Sequence, residues 1–210
     1  MSYAVKELFL TLQGEGVQAG CCAVFVRFAG CNLWSGREVD RATAVCRFCD
    51  TDFVGTDGAG GGKFADAGAL AAAVSAEWGA GTALRYVVLT GGEPMLQIDA
   101  ALIDALHGAG FEIGVESNGT IAAAEGIDWL CISPKAGSDV VQRSGNELKL
   151  VWPQAGSDPE TMERWAFDHF LIQPMDCADA ASARSAAIDF VMLHPKWRLT
   201  TQTHKMLGLR

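Results

Sequence analysis

Short apolar, β-branched runs alternate along this chain with alanine-rich stretches of helical character. The apolar runs predict strands over residues 22–28, 86–90, 111–116, 129–133, 147–151 and 169–173. Helices are expected over 66–78, 98–109, 159–166 and 180–193. Strands this continuously apolar leave no wet face, which predicts a parallel sheet covered by helices. The alternation gives an α/β class. About six parallel strands with few helices fit a partial, incomplete TIM-type barrel better than a closed eightfold one.

With 210 residues, the chain is expected to form one domain spanning 1–210. Half of it is hydrophobic and 20% charged, a globular balance. The formal net charge of -9 argues against a broad phosphate-backbone footprint, so no nucleic acid is expected as partner. No apolar run approaches the roughly 20 residues that span a bilayer, so no membrane is expected. The N-terminus carries Lys6 and Glu7 and lacks the apolar run of a signal peptide, which points to a cytoplasmic protein. Residues 55–63 (GTDGAGGGK) form the one low-complexity segment. They lack the GxxxxGK[ST] phosphate-loop pattern and are expected to be a connector.

Seven cysteines in a reducing compartment point to metal binding or catalysis rather than a disulfide framework. Cys31, Cys46 and Cys49 follow the first predicted strand with spacing C-x14-C-x2-C. A CxxC pair can reach one metal centre from a single turn, and Cys31 would give a third thiolate. Three thiolates are one short of a closed structural site, and an open position implies an exogenous ligand. On spacing alone, a zinc-ribbon remnant or three unrelated core cysteines remain open. Cys21, Cys22, Cys131 and Cys177 are expected to be core packing.

The strand at 86–90 runs into Thr90-Gly91-Gly92-Glu93-Pro94. Alone, this is a strand-end turn or a close-approach loop with a carboxylate for an ammonium. Together with the cysteine loop, in this chain order, it resembles the radical S-adenosylmethionine (SAM) superfamily. Within that superfamily the chain resembles the 7-carboxy-7-deazaguanine synthase family. The likeness rests on FLTLQGEG (9–16), FVRFAGC (25–31), FCDTD (48–52), ESNGT (116–120), SPK (133–135), QPM (173–175) and the tail LTTQTHKMLGLR (199–210). It spans almost the whole chain. The usual superfamily spacing is C-x3-C-x2-C; here the cluster-binding loop at 31–49 is expanded, as it is in some members of this family.

The resemblance implies a radical SAM core with a 4Fe–4S cluster on Cys31, Cys46 and Cys49. The implied reaction is that of a carbon–nitrogen lyase: 6-carboxy-5,6,7,8-tetrahydropterin is contracted to 7-carboxy-7-deazaguanine with loss of ammonia, in 7-deazapurine (queuosine precursor) biosynthesis. SAM supplies a 5′-deoxyadenosyl radical, and the hydrogen is returned. The family pattern places SAM contacts at Phe48, Cys49, Asp50, Gly92, Glu93, Ser133, Pro134, Lys135, Gln173, Pro174, Met175 and Asp176. It places pterin contacts at Leu12, Gln13, Gly14 and Glu15, and Mg2+ at Thr51. Arg27, Thr90, Glu116 and His204 are further expected pterin contacts, with Asn118 equally a turn residue. Arg27 stands inside an apolar strand and needs an anion, which is either the substrate carboxylate or an internal salt-bridge partner. Without the resemblance, Thr51 reads as a cap. His107 is expected in solvent, and His169 and His194 to be structural. By analogy the electron donor is a flavodoxin or ferredoxin and the assembly a homodimer. Two rivals stay open: another radical SAM enzyme, such as an activase, and a non-catalytic zinc module.

Overall fold

The computed structural model describes residues 1–209. Nine strands form one open sheet: β1 (Tyr3–Leu12), β2 (Cys22–Phe28), β3 (Gly62–Phe64), β4 (Tyr86–Gly91), β5 (Glu112–Ser117), β6 (Trp129–Ile132), β7 (Ser144–Trp152), β8 (Ala166–Pro174) and β9 (Trp197–Leu199). Their order is β3-β1-β2-β4-β5-β6-β7-β8-β9. From β2 to β9 every pairing is parallel, while β1 runs antiparallel to both β2 and β3. The sheet curls as a barrel does and stays open, as the alternation of elements predicts.

The helices are α1 (Ala67–Trp78), α2 (Ala100–Gly108), α3 (Pro159–Met162), α4 (Ala180–Leu193) and α5 (Thr203–Leu207). Asp66, Asp99, Asp158 and Asp179 cap the first four, each accepting a backbone N–H of the first turn. The helix expected over 159–166 stops at Met162. Ala166 already donates its N–H to the Arg143 carbonyl at 3.0 Å and enters β8. No helix among the described residues is long and apolar enough to cross a membrane.

The sheet has two different faces. Its outer face carries Val24, Val26, Val87, Leu89, Ile113, Val115, Leu148 and Leu150, packed with Leu70 and Val74 of α1 and Leu102 and Leu106 of α2. Burying each such side chain contributes about 1.5–3 kcal/mol. Its inner face starts apolar, with Phe9 stacked on Phe25 at 5.8 Å beside Ala23, Tyr86 and Val88. It then turns polar. Glu7 pairs with Arg27, Arg27 with Thr90, Glu116 with Cys131, and Cys131 with Glu147 across successive strands. The expectation of no wet face therefore fails. The period of 2 sends polar side chains of these strands inward, and Glu7, Arg27, Thr90, Glu116 and Lys149 among them line a cavity.

Candidate active site

An open cavity of about 400 Å³ occupies the concave face and the C-terminal rim of the parallel strands. Rims of this kind collect strand-end side chains, and α/β ligands bind there. Its floor is not a strand. The β1–β2 connection folds into the barrel, and two glycines let it. A Cβ on Gly14 would lie 2.1 Å from His204 Nδ1, and one on Gly16, at φ +73°, would lie 2.2 Å from a Glu147 carboxylate oxygen. The Val17 N–H then donates to Glu147 Oε2 at 2.8 Å.

This connection brings Gln13 and Glu15 against β5 and β7. Lys149 Nζ donates to Glu15 Oε2 at 2.5 Å and to Glu116 Oε1 at 3.3 Å. Gln13 Nε2 donates to Glu116 Oε1 at 3.0 Å, Thr90 Oγ1 to Glu116 Oε2 at 3.3 Å, and Gln202 Nε2 to Glu15 Oε1 at 2.8 Å. Burial pushes the Glu15 carboxyl up, but the Lys149 ammonium outweighs it and holds the group at about 2. The tail seals the open side. Thr203 N–H and Oγ1 both donate to the Gly14 carbonyl, Thr200 Oγ1 accepts the Gly16 N–H, and Lys205 bridges Asp50 and Asp176 at 2.6 and 2.5 Å.

At the opposite wall stand the thiols of Cys31, Cys46 and Cys49. Hydrogen bonding between Cys46 and Cys49 lowers the Cys49 thiol and raises that of Cys46. The expanded loop is ordered by its own contacts. Arg41 Nη1 donates to the carbonyls of Arg47 and Cys49 at 3.0 and 3.2 Å, and its guanidinium lies 4.0 Å over Trp34. Trp34 in turn packs edge-on to Phe53 at 5.6 Å. The Gly-Gly-Glu turn presses on the start of this loop. A Cβ on Gly92 would lie 2.0 Å from the Gly30 carbonyl oxygen and 2.8 Å from Cys31 Cβ, and Glu93 N–H donates to that same carbonyl at 3.0 Å.

No group of three His, Cys, Asp or Glu side chains converges on one ion point among the described residues. Three thiolates that serve three irons of a cuboidal cluster need wider spacing than the ligands of one ion. Facing them, Lys135 Nζ donates to the carbonyl and hydroxyl of Ser133, both at 2.7 Å. Gln173 is buried at the same rim with an Oε1 that has no partner, an acceptor suited to a ligand's N–H.

No protein-family model matches the chain. Over full length of both chains it is 64% identical to the 7-carboxy-7-deazaguanine synthase of Bradyrhizobium diazoefficiens and 62% identical to that of Caulobacter vibrioides. The chain belongs to the 7-carboxy-7-deazaguanine synthase family. The crystal structure of QueE from Escherichia coli superposes with a TM-score of 0.70 at 25% identity, covering 96% of this chain and 94% of that one.

Most residues that the family pattern singles out do meet in this cavity. Leu12 to Glu15, Arg27, Phe48 to Thr51, Thr90, Gly92, Glu116, Ser133, Lys135, Gln173 to Asp176 and His204 line it with the three cysteines. Two do not. Pro134 is buried behind the rim. Glu93 is fully buried, and its carboxylate is used by Met95 N–H at 3.0 Å, Ser117 Oγ at 2.8 Å and Asn118 N–H at 2.8 Å. These contacts tie the turn to β5. Arg27 has an internal partner, donating from Nε to Glu7 at 2.7 Å. Of the four cysteines expected in the core, only Cys131 is buried; Cys21, Cys22 and Cys177 are exposed. His169 stacks on Trp129 and His194 on Phe190, as structural histidines do, while half-exposed His107 pairs with Asp128 at 2.8 Å.

Sequence reasoning missed Glu7, Lys149, Gln202 and Lys205. Lys149 had a signal, since it interrupts an apolar strand as Arg27 does. One test of the turn follows. Gly92→Ala should destabilise the protein by about 1–3 kcal/mol through overpacking and leave it with substoichiometric iron after reconstitution. Full iron loading with an unchanged Tm would contradict the contact.

Proposed function

We propose that the cavity divides into a cluster-and-SAM half, at the cysteine loop and the ends of β6 and β8, and a pterin half, on the floor of Gln13, Glu15 and Glu116. The family reaction is the radical SAM-dependent ring contraction of 6-carboxy-5,6,7,8-tetrahydropterin to 7-carboxy-7-deazaguanine with loss of ammonia. When bound and reduced, the 4Fe–4S cluster and SAM supply a radical that takes a hydrogen atom from the substrate and returns it.

The residues present fit that division. Cys31, Cys46 and Cys49 hold the cluster, with no fourth cysteine lining the cavity. Lys135 places a cation beside the anionic thiolates, and burial keeps its ammonium below the usual range. Gly92, Phe48, Asp50, Ser133 and residues 173–176 receive SAM. The unpartnered Gln173 oxygen is the observation that carries this assignment, because a buried acceptor left without a donor costs about 1–3 kcal/mol.

On the pterin side, Gln13, Glu15 and Glu116 present acceptors to a ring edge rich in N–H groups, and an ionised carboxylate is acceptor-only. Arg27, His204 and Thr90 stand around them on the cavity wall. Together they orient the ring, and the tail over Gly14 excludes water from the reacting carbon. Thr51, on the cavity wall, would offer its hydroxyl oxygen to a Mg2+ beside the substrate carboxylate, as suits a hard cation with oxygen ligands.

The remaining assignments have weaker but definite support. Residues 1–209 share one continuous sheet, which supports a single domain over 1–210. Exposed Ile188, Met192 and Leu193 on α4, with Leu199 on the edge strand β9, support a homodimer, which sedimentation as a monomer would exclude. Exposed Arg37 and Arg47 on the cluster loop suit an acidic flavodoxin or ferredoxin as donor. The cysteine usage suits a cytoplasmic setting.

Two measurements test the division. Glu15→Gln and Glu116→Gln should each raise the KM for the pterin about 10- to 100-fold while leaving the Kd for SAM unchanged. Loss of SAM binding in both would overturn the assignment. Chelator-treated enzyme should regain its rate on adding Mg2+, and equal rates with and without the ion would remove Thr51 as its ligand.

A further inference from the structure

Lys149 belongs to none of the motifs that mark the family likeness, yet it lines the cavity between Glu15 and Glu116. It is 4% exposed and sits in β7 between Leu148 and Leu150, which point into the outer core. Its ammonium contacts Glu15 from the β1–β2 connection and Glu116 from β5. It is the one cation within salt-bridge distance of either carboxylate among the described residues.

We propose that Lys149 is the positioning residue that aims Glu15 and Glu116 at the pterin and keeps Glu15 ionised, and so sets the acid limit of substrate binding. The inference rests on the assignment of those two carboxylates to the pterin. Lys149 touches no reacting atom and acts through the carboxylates. Its spacing also serves geometry: the ammonium takes Oε2 of Glu15 and Oε1 of Glu116, while Gln202 and Gln13 take further lone pairs. Each carboxylate is thereby fixed in rotation.

The charged surroundings make the lysine necessary. Glu147 and Cys131 face it from β7 and β6, Lys135 lies farther off, and His204 stands beside Glu15. Without Lys149, Glu15, Glu116 and Glu147 crowd one low-dielectric region, and two neighbouring buried carboxylates retain a proton between them. A protonated carboxyl presents an O–H to the N–H edge of the ring, which reverses the match. The low position of the Glu15 carboxyl agrees with this arrangement. A group held low keeps its charge above its ordinary value and loses the associated stability only as pH falls toward its folded value. In the native protein Glu15 therefore stays ionised throughout the neutral and mildly acidic range.

The test uses reconstituted holoenzyme under anaerobic conditions, with 6-carboxytetrahydropterin as probe in calorimetric titrations from pH 8 to pH 5.5. The Kd of Lys149→Met divided by that of the native enzyme cancels the substrate's own titration. That ratio should grow at least about tenfold between pH 8 and pH 6. Lys149→Arg should hold it flat, with SAM binding unchanged in both variants. A ratio for Lys149→Met that is independent of pH overturns the proposal. If Lys149→Met fails to fold, the Glu116→Gln/Lys149→Met pair, which removes one charge of each sign, replaces it. Glu15 alone should then give the acid limb, and a flat profile again overturns the proposal. Unchanged pterin affinity in both Glu15→Gln and Glu116→Gln would instead overturn the underlying assignment, which separates the two failures.

Discussion

A single ammonium shared by two carboxylates makes a polar cavity tenable inside a sheet whose other face is a hydrocarbon core. Lys149 between Glu15 and Glu116 joins three stretches of chain far apart in sequence: the β1–β2 connection, β5 and β7. Removing one partner of such a buried set costs about 3–5 kcal/mol, because an uncompensated charge is left behind. Replacing the whole set by apolar residues is often neutral. The interaction is thus poor as a stabiliser and strong as a specifier. It fixes where the β1–β2 connection sits, and with it the Gly14 platform on which His204 and the C-terminal tail rest.

The second constraint is steric. Gly92 meets the Gly30 carbonyl and Cys31 so closely that a methyl group has no room. The turn after β4 is therefore packed directly against Cys31. Glu93 ties that turn to β5 by accepting from Ser117 and Asn118. The expanded loop reaches the other two cysteines through Arg41, which grips the carbonyls of Arg47 and Cys49 and lies against Trp34. The cysteine edge and the floor of Glu15 and Glu116 are thus built by different devices, packing for one and buried charge for the other. They share the rim formed by β4 to β8.

Much of this was legible in the amino-acid order. The parallel strands declare themselves by apolar, β-branched runs; β2 spans the expected residues, and α4 likewise. The strand β1 escaped because Lys6 and Glu7 interrupt its alternation and a bulge falls between Val5 and Glu7. The strands β3 and β9 are three residues each, too short to show a period. Tail helix α5 has no buried residue and no side-chain cap, so its place is set by the groups it touches. Motifs located the cavity wall well, since strand-end residues are close in space whenever the sheet is parallel. They were silent on Lys149, and the tail motif contains Gln202 and Lys205 without giving them a role; all three matter through partners distant in sequence. Exposed Cys21, Cys22 and Cys177 show that a cysteine's ordinary preference for the interior is no guide to an individual one.

The central claim is that this cavity contracts a carboxylated tetrahydropterin at a three-cysteine iron–sulfur site. Its most direct measurement is mass-spectrometric analysis of reduced, reconstituted enzyme incubated anaerobically with SAM and 6-carboxytetrahydropterin. The account predicts 7-carboxy-7-deazaguanine and ammonia in equal amounts, with more turnovers than SAM molecules consumed. Formation of 5′-deoxyadenosine with no deazapurine would contradict it.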